Sequence, residues 1–216
     1  IFRHDSRFRY YILVGILYAT GGMVFVSFIP VLLSRSLKCS YVTSAFLLHI
    51  LPGIFSFLAT GAIGQWIDRT NPWKAWSWIR LGWGLDPVIL AITPVLASIS
   101  PPLALALAGV ARTSRGLVMG GSWILWWQVG VNHFAPPGAD TSRYMGMILF
   151  ANGIARLVGP LFGAWLLGIA SIQVVFLAGG FLVLLSSLLS YLQLNRELSN
   201  SRLNTIKNFE DQFTHS

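Results

Sequence analysis

The fold is decided by residues Gly64 to Lys74, which read Gly-Gln-Trp-Ile-Asp-Arg-Thr-Asn-Pro-Trp-Lys. This is a short polar turn between two long apolar runs, and it places opposite charges side by side at Asp68 and Arg69. A short turn between two membrane helices needs little more than turn-forming residues. The acid and base within it therefore indicate a role beyond chain reversal.

The composition around this turn is that of a membrane protein. Of the 216 residues, 55% are hydrophobic and only 10% are charged, whereas a soluble domain carries about 25% charged residues. The lipid bilayer is therefore the expected surrounding of the chain. The net charge of +8 is spread over loops and ends without a basic stripe, so no nucleic acid is expected as a partner. Cys39 is the only cysteine, and neither a metal nor a cofactor is expected.

Six apolar runs are long enough to cross a bilayer, which takes about 20 residues. We expect residues 1–194 to form one all-α bundle of six transmembrane helices and residues 195–216 to form a polar cytoplasmic tail. The tail is either an amphipathic surface helix or a disordered end. The six predicted spans are residues 11–34, 41–63, 75–97, 103–131, 145–168 and 172–194.

The basic residues orient these spans. Six spans place both termini on one side, and short loops rich in Lys and Arg stay in the cytoplasm. The opposite side carries only Arg35 and Lys38. Both termini are therefore expected in the cytoplasm, with the plasma (inner) membrane as the location. The bases on the terminal side are Arg3, Arg7, Arg9, Arg69, Lys74, Arg143, Arg196, Arg202 and Lys207.

Charges inside the apolar runs are costly unless they are paired or hydrated, so they are candidates for function. Asp86 lies roughly 18 Å into the third run and Arg112 roughly 15 Å into the fourth, at 1.5 Å per residue. We expect these two to form an ion pair that faces a polar cavity. A structural pair that only neutralises two buried charges is the alternative. His49, in the second run, is either a hydrogen-bonded packing residue or a group that titrates near neutral pH.

The opening turn resembles the loop between the second and third helices of each half of the major facilitator superfamily transporters, Gly-x-x-x-Asp-Arg-x-Gly-Arg-Lys. Gly64, Asp68, Arg69 and Lys74 match, whereas Asn71 and Trp73 stand where the family has Gly and Arg. The resemblance implies a bundle of six helices built as a 3+3 inverted repeat. It also implies that the Asp of this loop engages a helix end and a nearby Arg, and so holds one of two access states.

Two further segments resemble motifs of antiporters in this family. Arg112-Thr-Ser-Arg115-Gly116 is similar to the fourth-helix motif Arg-x-x-Gln-Gly, with Arg115 in the Gln position. The resemblance implies that this Arg takes part in proton coupling. The segment 155–164 is similar to the fifth-helix motif Gly-x-x-x-Gly-Pro-x-x-Gly-Gly.

The fifth-helix segment also has a purely physical reading. Gly159 and Gly163 are four residues apart, which permits close approach of another helix, and Pro160 permits a bend. Packing alone explains these three residues as well as the motif does. Arg156 lies outside the motif, and no neighbouring residue in the sequence neutralises it.

The expected function is that of half a secondary active transporter, moving a small solute by alternating access with proton coupling. Its partner would be a complementary six-helix half or another membrane subunit. The fourth- and fifth-helix motifs favour the amino-terminal half. The charged lead-in without Met and the polar tail favour the carboxy-terminal half, which we prefer. The alternative is a non-transporting assembly or scaffold subunit with the same fold.

An enzyme is not expected. Gly120-Gly121-Ser122 on the fourth run, with His49 on the second, resembles the arrangement of six-helix rhomboid proteases. Those enzymes need a His on the sixth helix as the base for the Ser. Residues 172–194 contain no His, and the chain has no His-Glu-x-x-His metal motif.

Overall fold

The computed structural model describes residues 5–126, 130–135, 138 and 140–214, without side-chain surroundings at residue 131 and beyond residue 200. Within this part of the chain the regular secondary structure is helical. Helix α1 is followed by α2 and a π-helical turn, and α3 is joined to α4 by a second π-helical turn. In chain order the elements are α1 Ser6–Val26, α2 Ile29–Val31, π-turn Leu32–Ser36, α3 Tyr41–Ala45, π-turn Phe46–Ile50, α4 Leu51–Asp68, α5 Pro72–Ile99, α6 Pro101–Ile124, α7 Gly130–Phe134, α8 Thr141–Ile169 and α9 Ile172–Thr214.

Five helices are long and apolar enough to cross a membrane, which fits a multi-pass integral membrane protein. Each of the six predicted runs contains one long helix, but α6 is not among these five. Helix α6 has 24 residues, so its length is sufficient. Its two arginines, Arg112 and Arg115, make it less apolar than those five helices. The five are Ser6–Ser36, Tyr41–Asp68, Pro72–Ile99, Thr141–Ile169 and Ile172–Asn200.

The ends of two elements differ from the expectation. The fourth run was expected to extend to residue 131; α6 ends at Ile124, residues 125 and 126 are π-helical, and α7 occupies Gly130–Phe134. Residues 127–129 lie outside the described part. Helix α9 crosses the predicted boundary at residue 194 without a break and continues to Thr214. The cytoplasmic side assigned to this tail stays a prediction, as do the positions of Arg3, Arg202 and Lys207, which lie outside the described side chains.

Short polar residues begin the helices. The backbone N–H of Trp73 donates to Asn71 Oδ1 at 2.9 Å, and that of Phe8 donates to Asp5 Oδ1 at 2.9 Å. Such N-caps satisfy backbone N–H groups that the first helical turn leaves free. The cap gives Asn71 a structural role that a glycine could not fill, because a glycine has no side chain to accept this bond.

Five helix pairs make up most of the packing: α5 with α9, α5 with α6, α4 with α6, α1 with α9, and α1 with α8. This set has a simple property. Exchanging α1 with α6, α4 with α8 and α5 with α9 returns the same five pairs. The pair α5–α9 lies at the centre of the arrangement, and α4 and α8 lie at its two ends.

Glycines bring the outer helices close to their neighbours. A Cβ on Gly163 would lie 2.5 Å from the carbonyl oxygen of Val24 in α1, and one on Gly159 would collide with Met23. On the other side, a Cβ on Gly116 of α6 would lie 2.6 Å from the carbonyl oxygen of Pro52 in α4. Close approach without a side chain is the usual device for packing helices in lipid. The packing role expected for Gly159 and Gly163 is therefore present.

Candidate functional site

The centre of the bundle contains the expected pair of opposite charges. Helices α5 and α6 are antiparallel neighbours separated only by Ser100, so the middle of one faces the middle of the other. Arg112 Nη1 donates to Asp86 Oδ2 at 2.8 Å and to Oδ1 at 3.1 Å. The predicted ion pair is thus formed, while its part in proton coupling stays a prediction.

A second guanidinium shares the same carboxylate. Arg115 Nη1 lies 3.4 Å from Asp86 Oδ2. The side chains of Asp86, Arg112 and Arg115 are 0%, 3% and 12% exposed. One buried negative charge therefore holds two positive charges, and Arg115 is both the more distant and the more exposed of the two.

The π-helical turn of the second span orients Arg112. The Nε of Arg112 donates to the carbonyl oxygen of Leu47, which lies in this turn, at 3.3 Å. In a π-helical turn that carbonyl would accept from the residue five positions later, but this residue is Pro52, which has no N–H. Pro52 therefore leaves the carbonyl oxygen of Leu47 without a backbone donor, and Arg112 of α6 donates to it instead.

A cavity of about 610 Å³ lies beside this cluster and is lined by residues of α1, α5, α6 and α8, together with Trp126. Arg115 and Arg156 supply its charged groups, and Asn152 and Ser122 are among its polar ones. Aromatic side chains form much of the remaining wall: Tyr18, Trp83, Trp123 and Trp126.

Arg115 connects the buried pair to the cavity. Its guanidinium carbon lies 4.3 Å from the centre of the Trp83 ring, and Trp83 Nε1 donates to Ser122 Oγ at 2.7 Å. The expectation that Asp86 and Arg112 themselves face the cavity was wrong, because neither lines it. Arg115, which contacts both Asp86 and Trp83, links the pair to the cavity wall. Arg156, which no neighbour in the sequence neutralises, lines the cavity and makes no ion pair within the described residues.

Comparisons of the chain with family models, curated proteins and solved structures find no match. The geometry of the cavity and its charges are therefore the basis for inferring a function. In the described residues no group of three or more His, Cys, Asp or Glu side chains could hold a metal ion.

Arg80 is a buried charge that the sequence reading missed. It is fully buried on α5, and its Nη1 donates to Ser190 Oγ at 2.5 Å. The guanidinium carbon lies 4.5 Å from the ring centre of Trp76 and 5.4 Å from that of Tyr18. Its Nε and Nη2 make no hydrogen bond within the described residues.

A signal for Arg80 was available in the sequence. Trp76 lies four residues before it, and residues four apart share a face of a helix. A guanidinium over an indole face is the most favourable cation–π arrangement for a buried base. Ser190, in contrast, is 110 residues away on α9, and nothing local points to it.

The opening turn lies at the surface, away from the cavity. Helix α4 ends at Asp68, and Asp68, Arg69 and Lys74 are exposed. They make no ion pair with the described residues. Among the described residues, Asp68 at the carboxyl end of α4 therefore has no Arg as a partner. Its conformational role, and that of Gly64 beside Ile124 of α6, stays a prediction.

His49 and the bend residues complete the predicted set. His49 is exposed on the π-helical turn Phe46–Ile50 and does not line the cavity. Pro160 lies inside α8, between the two glycines that pack against α1. Gly159, Pro160 and Gly163 therefore lie where α8 packs against α1. The same helix carries Arg156 at the cavity wall.

A separate cluster joins the beginnings of α1 and α5, the short helix α7 and the middle of α9. Arg7 Nε lies 3.0 Å from Glu197 Oε1, which also accepts from Trp73 Nε1 at 2.9 Å. Arg7 Nη2 lies 3.0 Å from His133 Nε2. Partial burial and the charge of Arg7 hold the pKa of His133 below its usual 6.5. The cluster lies outside the apolar centre of the bundle, near the beginning of α1.

Proposed function

We propose that this chain is half of a secondary active transporter of the major facilitator type, which moves a small solute by alternating access. The observation that carries the proposal is the cavity of about 610 Å³ between α1, α6 and α8, with charged groups deep among otherwise apolar helices. Ligand cavities of roughly 300–1,000 Å³ are typical of small-molecule sites, and charges at membrane depth typically mark substrate or ion pathways.

The helix packing supports a 3+3 inverted repeat. The five main helix pairs are unchanged when the first, second and third long helices are exchanged with the fourth, fifth and sixth. If all six cross the membrane, the second group of three starts on the side opposite to the first, so the repeat is inverted. Transporters of this class bind their solutes near the midplane, at the interface between repeats or halves.

A complementary six-helix half would then cover the open side of the cavity. We propose that both termini of this chain lie in the cytoplasm of a plasma (inner) membrane. The basic turn at Arg69 and Lys74 and the basic ends support this orientation through the positive-inside rule.

Proton coupling would act at Asp86, the buried acid between α5 and α6. Protonation would remove the charge that holds Arg115 at 3.4 Å. Two guanidiniums beside a neutral acid repel each other in a medium of low polarity. Arg115, which already lines the cavity, would then be free of Asp86 to bind a solute there.

Flux measurements in proteoliposomes test the proposal. Three radiolabelled naphthalenes of similar size serve as probes: the anion 2-naphthalenesulfonate, the neutral 2-naphthalenesulfonamide and the cation 2-naphthyltrimethylammonium. We expect saturable uptake of at least one probe above protein-free vesicles, and acceleration by an imposed pH gradient. Arg156→Gln should reduce this uptake, whereas Arg35→Gln, which removes an exposed charge away from the cavity, should leave it unchanged.

The outcome that contradicts transport is equally specific. If no probe enters above the protein-free background in either direction of the pH gradient, the chain does not act as a transporter half. One observation favours the scaffold alternative: Asp86 and Arg112 are 0% and 3% exposed, as a permanent structural pair would be. A scaffold subunit should give no flux and should form a stoichiometric complex with a membrane partner at the cavity face.

A further inference from the structure

The charges inside the bundle do not balance. Between Trp76 and Leu194, the long helices carry one carboxylate, that of Asp86. Away from their ends they carry four arginines: Arg80, Arg112, Arg115 and Arg156. The carboxylate accepts from two of the arginines, Arg112 and Arg115. The four arginines therefore exceed the one carboxylate by three charges, with Arg80 and Arg112 buried, Arg115 partly buried and Arg156 exposed at the cavity wall. Isolated charges at membrane depth are rare because hydrocarbon solvates them poorly.

The excess positive charge is directed toward the cavity. Arg115 and Arg156 both line it, and no Asp or Glu is among its lining residues in the described part of the chain. Asn152 adds a side-chain amide, whose nitrogen already donates to the carbonyl oxygen of Ile148 at 2.9 Å. Its amide oxygen is an acceptor, so the charged donors of the cavity come from the two arginines.

Arg80 adds a further positive charge near the cavity, on the other side of the Tyr18 ring. Tyr18 lines the cavity on one face, and the guanidinium carbon of Arg80 lies 5.4 Å from the centre of the same ring. Arg80 is fully buried and hydrogen-bonds only to the neutral Ser190 among the described residues. Its charge is therefore not cancelled by an acid. A charge in a surrounding of low dielectric constant acts over a longer distance than it does in water.

We propose that the cavity binds an amphiphilic organic anion, with its carboxylate, sulfonate or phosphate head between Arg115 and Arg156 and its aromatic or apolar body against Trp83, Trp123 and Trp126. This inference deepens the proposed transport function, and rests on it only in taking the ligand to be the solute. Two guanidiniums match oxyanions through directed N–H donors. The indole walls supply the large apolar contact area that such a body needs.

An anionic headgroup can belong to a soluble solute or to a membrane lipid. Helix α8 presents Phe150, Leu157 and Leu161 as exposed apolar side chains near Arg156, so a lipid could approach from that side. The shared chemistry is an oxyanion on an apolar body, and the lipid composition of the membrane separates the two sources.

Binding of the three naphthalene probes to the protein in nanodiscs tests the inference. Calorimetry in pure phosphatidylcholine should show binding of 2-naphthalenesulfonate that is at least about tenfold tighter than that of the neutral or cationic probe. Quenching of tryptophan fluorescence should accompany this binding, because three indoles line the cavity. Repeating the titration with phosphatidylglycerol in the disc distinguishes the sources: weaker apparent binding identifies the lipid headgroup as occupant, and unchanged binding identifies a soluble anion.

Matched variants locate the binding. Arg156→Gln should weaken binding of the sulfonate about tenfold or more, and it leaves the Asp86 cluster intact. Arg69→Gln removes the same charge from the exposed turn and should have no effect. Arg80→Met should weaken binding by a smaller factor, because its charge lies behind Tyr18 and does not touch the ligand.

The inference is overturned if the cationic or neutral probe binds as tightly as the anion. It is overturned equally if Arg156→Gln and Arg69→Gln bind the sulfonate alike. The flux assay separates this failure from that of transport. Uptake of a cation or neutral probe without anion binding would leave the transport proposal standing, and anion binding without any uptake would leave the site but remove the transport.

Discussion

The bundle stabilises buried guanidiniums in two different ways. Arg112 and Arg115 share the carboxylate of Asp86, with the shorter contact at 2.8 Å. Arg80, on the same helix as Asp86, has no acid and is held by the faces of Trp76 and Tyr18 and by one serine hydroxyl. The difference teaches that the two sites should respond differently to substitution. The first depends on charge neutralisation, and the second on contact area and a single hydrogen bond.

The largest expected effect comes from removing the shared carboxylate. Asp86→Asn leaves two buried guanidiniums without a counter-charge, and breaking a buried ion pair from one side costs about 3–5 kcal/mol. The free energy of unfolding, measured by denaturant titration in mixed micelles, should fall by this amount. Asp68→Asn, an exposed acid, should change it by less than about 0.5 kcal/mol.

A double variant sharpens this result. Combining Asp86→Asn with Arg112→Met removes one of the stranded charges and should recover part of the loss, since apolar replacements of a buried pair are often nearly neutral. Equal stabilities of Asp86→Asn and Asp68→Asn would show that the cluster is hydrated and not buried.

The next effect is expected at the serine that holds Arg80. Ser190→Ala keeps the buried charge but removes its hydrogen-bond acceptor, and hydrogen bonds to charged groups contribute about 1.5–3 kcal/mol. The same unfolding titration should show a loss of this size. Ser98→Ala, which removes an exposed hydroxyl bonded to its own helix, is the matched control. A loss no larger than that of the control would mean that Arg80 does not depend on Ser190.

Removal of the Arg80 charge itself should matter less. Arg80→Met replaces a guanidinium by an apolar side chain against Trp76 and Tyr18, so lost cation–π attraction is offset by relief of an uncompensated charge. We expect a change within about 1 kcal/mol in either direction. This would invert the usual order, with the acceptor of a hydrogen bond mattering more than its donor. A loss as large as that of Asp86→Asn would erase the distinction between the two sites.

The smallest effect concerns the surface pair of Arg7 and Glu197, whose side chains are 44% and 26% exposed. Arg7→Gln should cost no more than about 1 kcal/mol. It should also raise the pKa of His133, which burial first and Arg7 second hold below 6.5. In the variant, burial still lowers this pKa and the charge of Glu197 still raises it. Imidazole chemical shifts followed over pH measure it, with Arg143→Gln as control.

The same shift sets the sign of a pH effect. A histidine whose pKa is lowered in the folded protein binds protons more readily when unfolded, so its contribution to stability is complete above about pH 6.5 and is lost as the pH falls. Arg7→Gln should reduce this dependence on pH. An unchanged pKa of His133 in Arg7→Gln would show that the two side chains do not interact.

The sequence predicted the parts of the site that depend on local order. Each long helix follows from an apolar run, and the pairing of Asp86 with Arg112 follows from two helices joined at one residue, Ser100. The sequence did not predict the wall of the cavity. Asn152 and Arg156 come from α8 and Trp83 from α5, and only the packing of the whole bundle brings them together. Pairs 110 residues apart, such as Arg80 and Ser190, leave no local pattern.

The turn at Gly64 to Lys74 shows the reverse case. It indicated the fold by resemblance, yet its charges are exposed and unpaired within the described chain. The sequence could not show this, because the contact that the family implies for Asp68 depends on where α4 ends. The role of Asn71 is visible only in the structure, where its side chain caps the beginning of α5.

Access to the cavity from each side of the membrane tests the central proposal most directly. In a Cys39→Ser background, Met119→Cys places a thiol on the cavity wall, and Ala108→Cys places one in the fully buried packing of α6 as control. A membrane-impermeant thiol reagent is applied to proteoliposomes from either side. Alternating access predicts that Met119→Cys is modified from both sides and Ala108→Cys from neither. Modification of Met119→Cys from one side only, under every pH gradient, would contradict it.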